Sequence, residues 1–279
     1  MILLGFLTEA VKFIIYSLAI VLISKYVLVS AIRKLALHLK LNSKSVGEIS
    51  GYATSVPELL TVTASSINGL MGASMYNILS SNIINLLQYI SSVIINKNQK
   101  VLKNAAVKVD ILLVILTIII PLVFVQFNIE LNLSTIVIFI LLYILFKRID
   151  GNAHKLYLEK HENNKNIEKT KREWGKGIKY IILLIISGIL LFVVGDLLGE
   201  TLRNLCYRFN IPELIIGILL GIITSIPELI TFIEAQRHHK KSEDEIAGVI
   251  EATNNLFTSN ILNLFIIQSI GVLIYIIFA

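Results

Sequence analysis

Cysteine is nearly absent: Cys206 is the only one in 279 residues, which excludes an internal disulfide and a thiolate metal cluster. Charge is scarce as well. Only 16% of the residues are Asp, Glu, Lys or Arg against 55% hydrophobic ones, and mean hydropathy is +0.78. That balance excludes an ordinary soluble domain. No stretch resembles an ATP-binding loop, and no motif points to covalent catalysis, so an enzyme is not expected. The formal charge is +6. It sits largely on connections between apolar runs, which fits anionic lipid and not nucleic acid. Prolines number only four, and two of them, Pro57 and Pro227, each precede a glutamate inside apolar sequence.

What is present is a series of apolar runs, each long enough to cross a bilayer. Spans are expected at about residues 5–31, 46–67, 71–95, 109–126, 131–147, 177–198 and 211–235, with a last stretch from Ile246 to Ala279. The first run is too long for a signal peptide and lacks a small-residue cleavage pattern, which favours a retained span. The last stretch exceeds one crossing; one long tilted helix and one helix broken near Ser269-Gly271 both fit. Residues 148–176 are the one long polar segment and read as a solvated linker whose histidines are exposed.

Charge orients the chain. Lys and Arg cluster after spans 1, 3, 5 and 7: Arg33, Lys34, Lys40 and Lys44 (with His38), then Lys97, Lys100, Lys103 and Lys108, then the 148–176 segment, then Arg237, Lys240 and Lys241. The connections after spans 2 and 4 carry none; between spans 4 and 5 lie Asn128 and Glu130. The amino terminus is then extracytoplasmic and the linker cytoplasmic, in a multi-pass cell-membrane protein.

One stretch occurs twice. Ser55-Val56-Pro57-Glu58-Leu59-Leu60-Thr61 returns as Ser225-Ile226-Pro227-Glu228-Leu229-Ile230-Thr231. A carboxylate inside an apolar run is costly and by default functional. The preceding proline interrupts the helix and frees the carbonyl four residues back, on Ala53 and Ile223. Thr54 and Glu58 lie four apart, as do Thr224 and Glu228, so each pair shares a helix face. Carboxylate, hydroxyls and freed carbonyl at one depth make an all-oxygen site, which suits hard cations such as Ca²⁺ or Na⁺. Gly51 and Gly221 permit a kink or close helix approach. The charge bias gives the two copies opposite orientation in the membrane. This is the inverted-repeat pattern of alternating-access transporters, with the site at the repeat interface.

Each half carries a second block. Asn77, Ser81 and Asn85 fall at four-residue intervals on one apolar helix; Asn255, Ser259 and Asn263 do so on another. Such stripes do not face lipid. They serve as ligands or as helix-to-helix glue. Glu251, one turn before Asn255, is either a third carboxylate on the ion path or a surface residue.

These blocks resemble the α-repeats of the sodium/calcium exchanger (calcium:cation antiporter) superfamily. The carriers are Ala53-Thr54-Ser55-Val56-Pro57-Glu58-Leu59 with Ile223-Thr224-Ser225-Ile226-Pro227-Glu228-Leu229, then Ser80-Ser81-Asn82-Ile83-Ile84-Asn85 with Thr258-Ser259-Asn260-Ile261-Leu262-Asn263. The resemblance implies an all-α polytopic membrane protein, an inverted-topology repeat of five-helix halves with discontinuous helices at the Pro-Glu motifs. Residues 1–147 would form the first half (α-repeat about 46–95) and 177–279 the second (α-repeat about 211–270). Only Ile270–Ala279 could begin the pair that follows span 8 in the family, so the second half reads as incomplete. The resemblance further implies Glu58 and Glu228 as central metal ligands. Thr54, Ser55, Thr224, Ser225, Ser81, Asn85, Ser259 and Asn263, and the backbone near Gly51 and Gly221, would supply further oxygens. The implied cargo is Ca²⁺ exchanged for Na⁺ or H⁺, with no tightly bound cofactor. Departures are Ala53 and Ile223 at the leading motif glycine, Asn263 where sodium-coupled members often have an acid, and a short insertion around His238 to Glu245. A channel or uniporter on the same frame, and a transport-inactive relative, are the rival readings.

Overall fold

A backbone surrounded by hydrocarbon must satisfy its own polar groups, and among the described residues every regular element is helical. The computed structural model describes residues 2–31, 34, 41–127, 129–162, 174–240 and 245–278. Arg33, His38, Lys40, Asn128, Lys241 and residues 163–173 of the polar run expected as a linker lie outside them.

Helix α1 (Ile2–Ile23) continues through a π-helical stretch, Ser24–Val29. The first Pro-Glu motif divides a run into α2 (Ser43–Thr54) and α3 (Val56–Ile67), with Ser55 between them at φ −81°, ψ 0°. Asn42 caps α2, its side chain accepting from the Ser45 N–H at 2.8 Å. A tight turn at Asn68-Gly69, with Gly69 at φ 74°, leads into α4 (Met71–Ile95). A 3₁₀ turn (Gln99–Lys103) and an Asn104 cap precede α5 (Ala105–Gln126). Then follow α6 (Leu133–Glu162), α7 (Trp174–Arg203), α8 (Glu213–Thr224) and α9 (Ile226–Lys240). The last two are divided at Ser225 as α2 and α3 are at Ser55. Helix α10 (Glu245–Ile261) passes through a π-helical stretch (Leu262–Ile267) into α11 (Gln268–Phe278). The final apolar sequence is therefore one helical run, unbroken at Ser269-Gly271.

Among the described residues, six helices are long and apolar enough to cross a membrane. The α2–α3 run is not among them, because its buried surface is rich in hydroxyls and glycine. The packing is symmetric, in the manner of an inverted repeat. Helix α2 lies along α10, and α8 lies along α4; α3 packs on α4, and α9 on α10. Small residues make this possible. Gly47 and Gly51 meet the backbone of Glu251 and Asn255, while Gly217 and Gly221 meet that of Ala73 and Asn77. Two apolar clusters fill the rest. One joins Val62, Tyr89, Phe139, Phe146, Phe232 and Phe265; the other joins Phe13, Ile20, Leu198 and Leu220. Exposed Leu3, Ile14, Leu112, Leu141, Ile189 and Phe192 give α1, α5, α6 and α7 an apolar outer face.

Two expectations change. Helix α6 does not stop at 147 but runs to Glu162. Within this extension His154 is fully buried, not exposed, because it pairs with Asp110 and Asp150.

A Cβ at Gly221 would run into the Ser80 hydroxyl and lie 2.8 Å from the Asn77 carbonyl oxygen. Gly221→Ala should lower the thermal midpoint by several degrees, since overpacking costs about 1–3 kcal/mol. Gly188→Ala, which meets nothing within 4 Å, should not lower it. Thermal unfolding in detergent checks both.

Candidate functional site

Glu58 and Glu228 are both 0% exposed. Each lies in the first turn of its helix, α3 or α9, where the helix dipole favours negative charge. The break that the proline imposes is what brings a helix start to this depth. The Ser81 hydroxyl donates to Glu58 Oε1 at 3.2 Å, and the Ser259 hydroxyl donates to Glu228 Oε1 at 3.2 Å. The threonines meet the polar stripe of the opposite half: Thr224 of α8 lies beside Ser81 of α4, and Thr54 of α2 donates to Asn255 Oδ1 of α10 at 3.3 Å. Ser81 and Thr224 hydroxyls are 3.3 Å apart. The two carboxylates are close enough for the charge of one to act on the other. No Lys, Arg or His pairs with either among the described residues.

The supporting bonds repeat in both halves. Asn77 Nδ2 donates to Thr61 Oγ1 at 2.7 Å, and Asn255 Nδ2 to Thr231 Oγ1 at 2.6 Å. Thr61 in turn donates to the Glu58 carbonyl at 3.1 Å and Thr231 to the Glu228 carbonyl at 2.8 Å. So the stripe asparagines fix α4 to α3 and α10 to α9 just behind the glutamates. Asn85 Nδ2 donates to Ser259 Oγ at 3.3 Å and to Asn260 Oδ1 at 3.2 Å; Asn263 Nδ2 donates to Asn82 Oδ1 at 3.2 Å. Several buried oxygens accept nothing from the protein: Glu58 Oε2, Glu228 Oε2, Asn77 Oδ1, Asn85 Oδ1 and Asn263 Oδ1, with the Ser225 hydroxyl also unpartnered. Buried acceptors without donors are costly. A set rich in carboxylate and amide oxygen is what a hard cation would satisfy.

Not every candidate is equally available. The Gly51 carbonyl already accepts from the Ser55 hydroxyl at 3.0 Å and the Ser55 N–H at 3.2 Å. The Gly221 carbonyl accepts the Ser225 N–H at 3.2 Å. Glu251 stands apart: its Oε2 is 3.0 Å from His239 Nε2. It precedes Ser259 by about two helical turns, roughly 12 Å along α10.

Asn82 and Asn260 were not singled out by the four-residue stripe, because each lies one residue off it. They bridge the halves reciprocally. Asn82 Nδ2 donates to the Asn260 carbonyl at 3.2 Å, and Asn260 Nδ2 to the Asn82 carbonyl at 3.1 Å. The signal was present in the duplicated Ser-Asn pairs 81–82 and 259–260. Thr61 and Thr231, closing the repeated heptapeptide, were legible in the same way.

The family model described as "Sodium/calcium exchanger protein" matches residues 10–149 and 179–278. Among solved structures, the sodium-calcium exchanger NCX_Mj soaked with 10 mM Na⁺ and zero Ca²⁺ is 21% identical; the match covers 98% of this chain and 84% of that one, at TM-score 0.54. The same exchanger soaked with 10 mM Na⁺ and 10 mM Sr²⁺ is 21% identical over 96% of this chain and 82% of that one, at TM-score 0.53. At this identity the likeness is one of fold. No curated protein matches the chain.

The reciprocal asparagine bridge should be energetically coupled. Asn82→Ala and Asn260→Ala should each destabilise the protein by about 1–3 kcal/mol, because buried partners lose their bonds. The double variant should lose less than the sum, with a coupling of about 0.5–3 kcal/mol. Denaturation of the four proteins closes the cycle.

Proposed function

The chain belongs to the sodium/calcium exchanger protein family, and from that premise we propose that it exchanges Ca²⁺ for Na⁺ or H⁺ by alternating access, with Glu58 and Glu228 as the central ligands. The observation that carries this reading is the pair of buried glutamates, each with one oxygen that no protein group satisfies and neither with a cationic partner. Two negative charges are balanced by one Ca²⁺, by two Na⁺ or by two protons. The bare site is doubly charged in a low-dielectric interior and crosses poorly, whereas each loaded site is neutral. Obligatory exchange follows from that difference. Ser81 and Ser259 orient the carboxylates, Thr54 and Thr224 add hydroxyl oxygens from the opposite half, and Asn85 and Asn263 offer amide oxygens. Asn263 is neutral, so the charge to be balanced stays at two.

Access is unequal on the two sides. A cavity of about 320 Å³, lined by Lys25, Tyr26, Lys34, Pro227, Thr231 and Glu234, runs between the end of the α1 run and α9. It reaches Thr231, which bonds the Glu228 carbonyl. A second cavity, between α3 and α7 and lined by Leu60, Ala64, Gly195 and Asp196 among others, is about 80 Å³. The cavity that reaches Thr231 supports a state open toward the Lys25 side. With the orientation argued from the basic connections, that side is cytoplasmic and the amino terminus lies outside.

In reconstituted vesicles, ⁴⁵Ca²⁺ uptake should depend on an opposing Na⁺ or H⁺ gradient; testing each separately identifies the counter-ion. Glu58→Gln and Glu228→Gln should each lower gradient-driven uptake at least about 100-fold, the equivalent of about 3 kcal/mol from losing one of two buried partners. Conductance without a gradient would replace exchange by a channel. Undiminished uptake in both variants would remove this site.

A further inference from the structure

An asparagine can present either end of its amide, and its partners decide which. Four buried asparagines lie where the α4 and α10 runs meet: Asn82, Asn85, Asn260 and Asn263, all 0% exposed. Two of them carry an oxygen that accepts nothing, Asn85 Oδ1 and Asn263 Oδ1. Their orientation follows from the other two.

Orientation begins at atoms that cannot turn. A backbone carbonyl only accepts. Asn82 Nδ2 donates to the Asn260 carbonyl at 3.2 Å, and Asn260 Nδ2 to the Asn82 carbonyl at 3.1 Å. Each of these amides has its nitrogen committed, so its oxygen faces the other way. There Asn82 Oδ1 accepts from Asn263 Nδ2 at 3.2 Å, and Asn260 Oδ1 accepts from Asn85 Nδ2 at 3.2 Å. That commits the nitrogens of Asn263 and Asn85 in turn and leaves their oxygens open. Flipping Asn82 or Asn260 would set oxygen against oxygen and nitrogen against nitrogen, and would lose two buried bonds.

The two branches are unequal. Asn85 Nδ2 has a second acceptor, Ser259 Oγ at 3.3 Å, whose one hydrogen goes to Glu228 Oε1. Ser259 thus holds Asn85 the same way round without Asn260, and places it beside the glutamate pair. Asn263 sits in the π-helical stretch Leu262–Ile267, and among the described residues its Nδ2 donates to Asn82 alone.

We infer that Asn82 and Asn260 are positioning residues for the cation site: anchored to each other's backbone, they hold the amides of Asn263 and Asn85 oxygen-inward, so that a cation meets two amide oxygens beside the glutamates and no N–H. This rests on the cation-binding reading of Glu58 and Glu228. Hard cations take amide oxygen as a ligand, whereas an amide N–H carries positive charge toward them. Without the Asn82 side chain, Asn263 Nδ2 loses its acceptor. A buried donor without a partner is costly, so the amide turns its N–H toward the open oxygens of the site. A cation must then displace that bond before it can bind.

Equilibrium ⁴⁵Ca²⁺ binding to the purified full chain in detergent reads the site without transport. N82A should weaken binding about 10-fold, the equivalent of about 1.4 kcal/mol. N260A should weaken it less than about 3-fold, because Ser259 still holds Asn85. In an N263D background both ends of the side chain are oxygen, so adding N82A should cost less than about 2-fold there. A bridge that only holds helices together would weaken binding alike in N82A and N260A, and would do so whatever stands at position 263. That pattern overturns the proposal. N82S takes the place of N82A, with the same expected values, should N82A show no cooperative thermal transition. A wild type that binds no Ca²⁺ removes the glutamate site and this role of Asn82 together; binding that survives N82A undiminished removes the role of Asn82 alone.

Discussion

Two carboxylates buried at zero exposure, within range of each other's charge and without a cationic side chain, are the most costly feature of this chain. Much of the architecture makes that cost tolerable. The proline breaks place Glu58 and Glu228 at helix starts, where backbone dipoles offset part of their charge. Ser81 and Ser259 bind one oxygen of each. The other oxygen of each accepts no hydrogen bond from the described residues.

The precision of the site comes from packing that exchanges partners between halves. Helix α2 rests on α10 and α8 on α4, so the threonine of each motif meets the polar stripe of the other half. Glycine at 47, 51, 217 and 221 lets those backbones approach, since any larger side chain would collide with the opposing carbonyls. Asn82 and Asn260 then tie the two long helices at their crossing. Each half supplies one buried carboxylate and one threonine to this cluster.

Much of this was legible in the sequence because the chemistry is local. A proline before a membrane-buried glutamate, a threonine four residues earlier and asparagines at helical intervals are short-range patterns. They appear twice, which separates them from chance. What stayed hidden depends on pairings distant in the chain. Nothing near Asp110 announces His154, and nothing near Lys44 announces Asp150. Residues 148–162 were read by composition, and composition cannot distinguish a solvated polar segment from a helix whose polar residues find buried partners. The spacing of Asp150 and His154, four apart on one face, was the available clue. The Asn82–Asn260 bridge was hidden differently, since it lies one residue off the stripe that drew attention.

A frame with two equivalent halves has no intrinsic reason to open to one side more than the other. Bias between its two faces has to come from contacts that the symmetry does not duplicate. A polar ladder between α6 and α2, in which Tyr143 meets Tyr52, Lys147 meets Glu48 and Asp150 meets Lys44, is such a contact, for the matching positions on α8 (Leu214, Ile218 and Ile222) are apolar and exposed. The cavities differ in the same sense, wide beside α9 and narrow beside α3. A helix anchored by a buried ion pair and two further rungs resists displacement more than one held by apolar contact, because moving it strands charge in a low-dielectric interior. On this argument any bias of the symmetric frame comes from the asymmetric part of the chain.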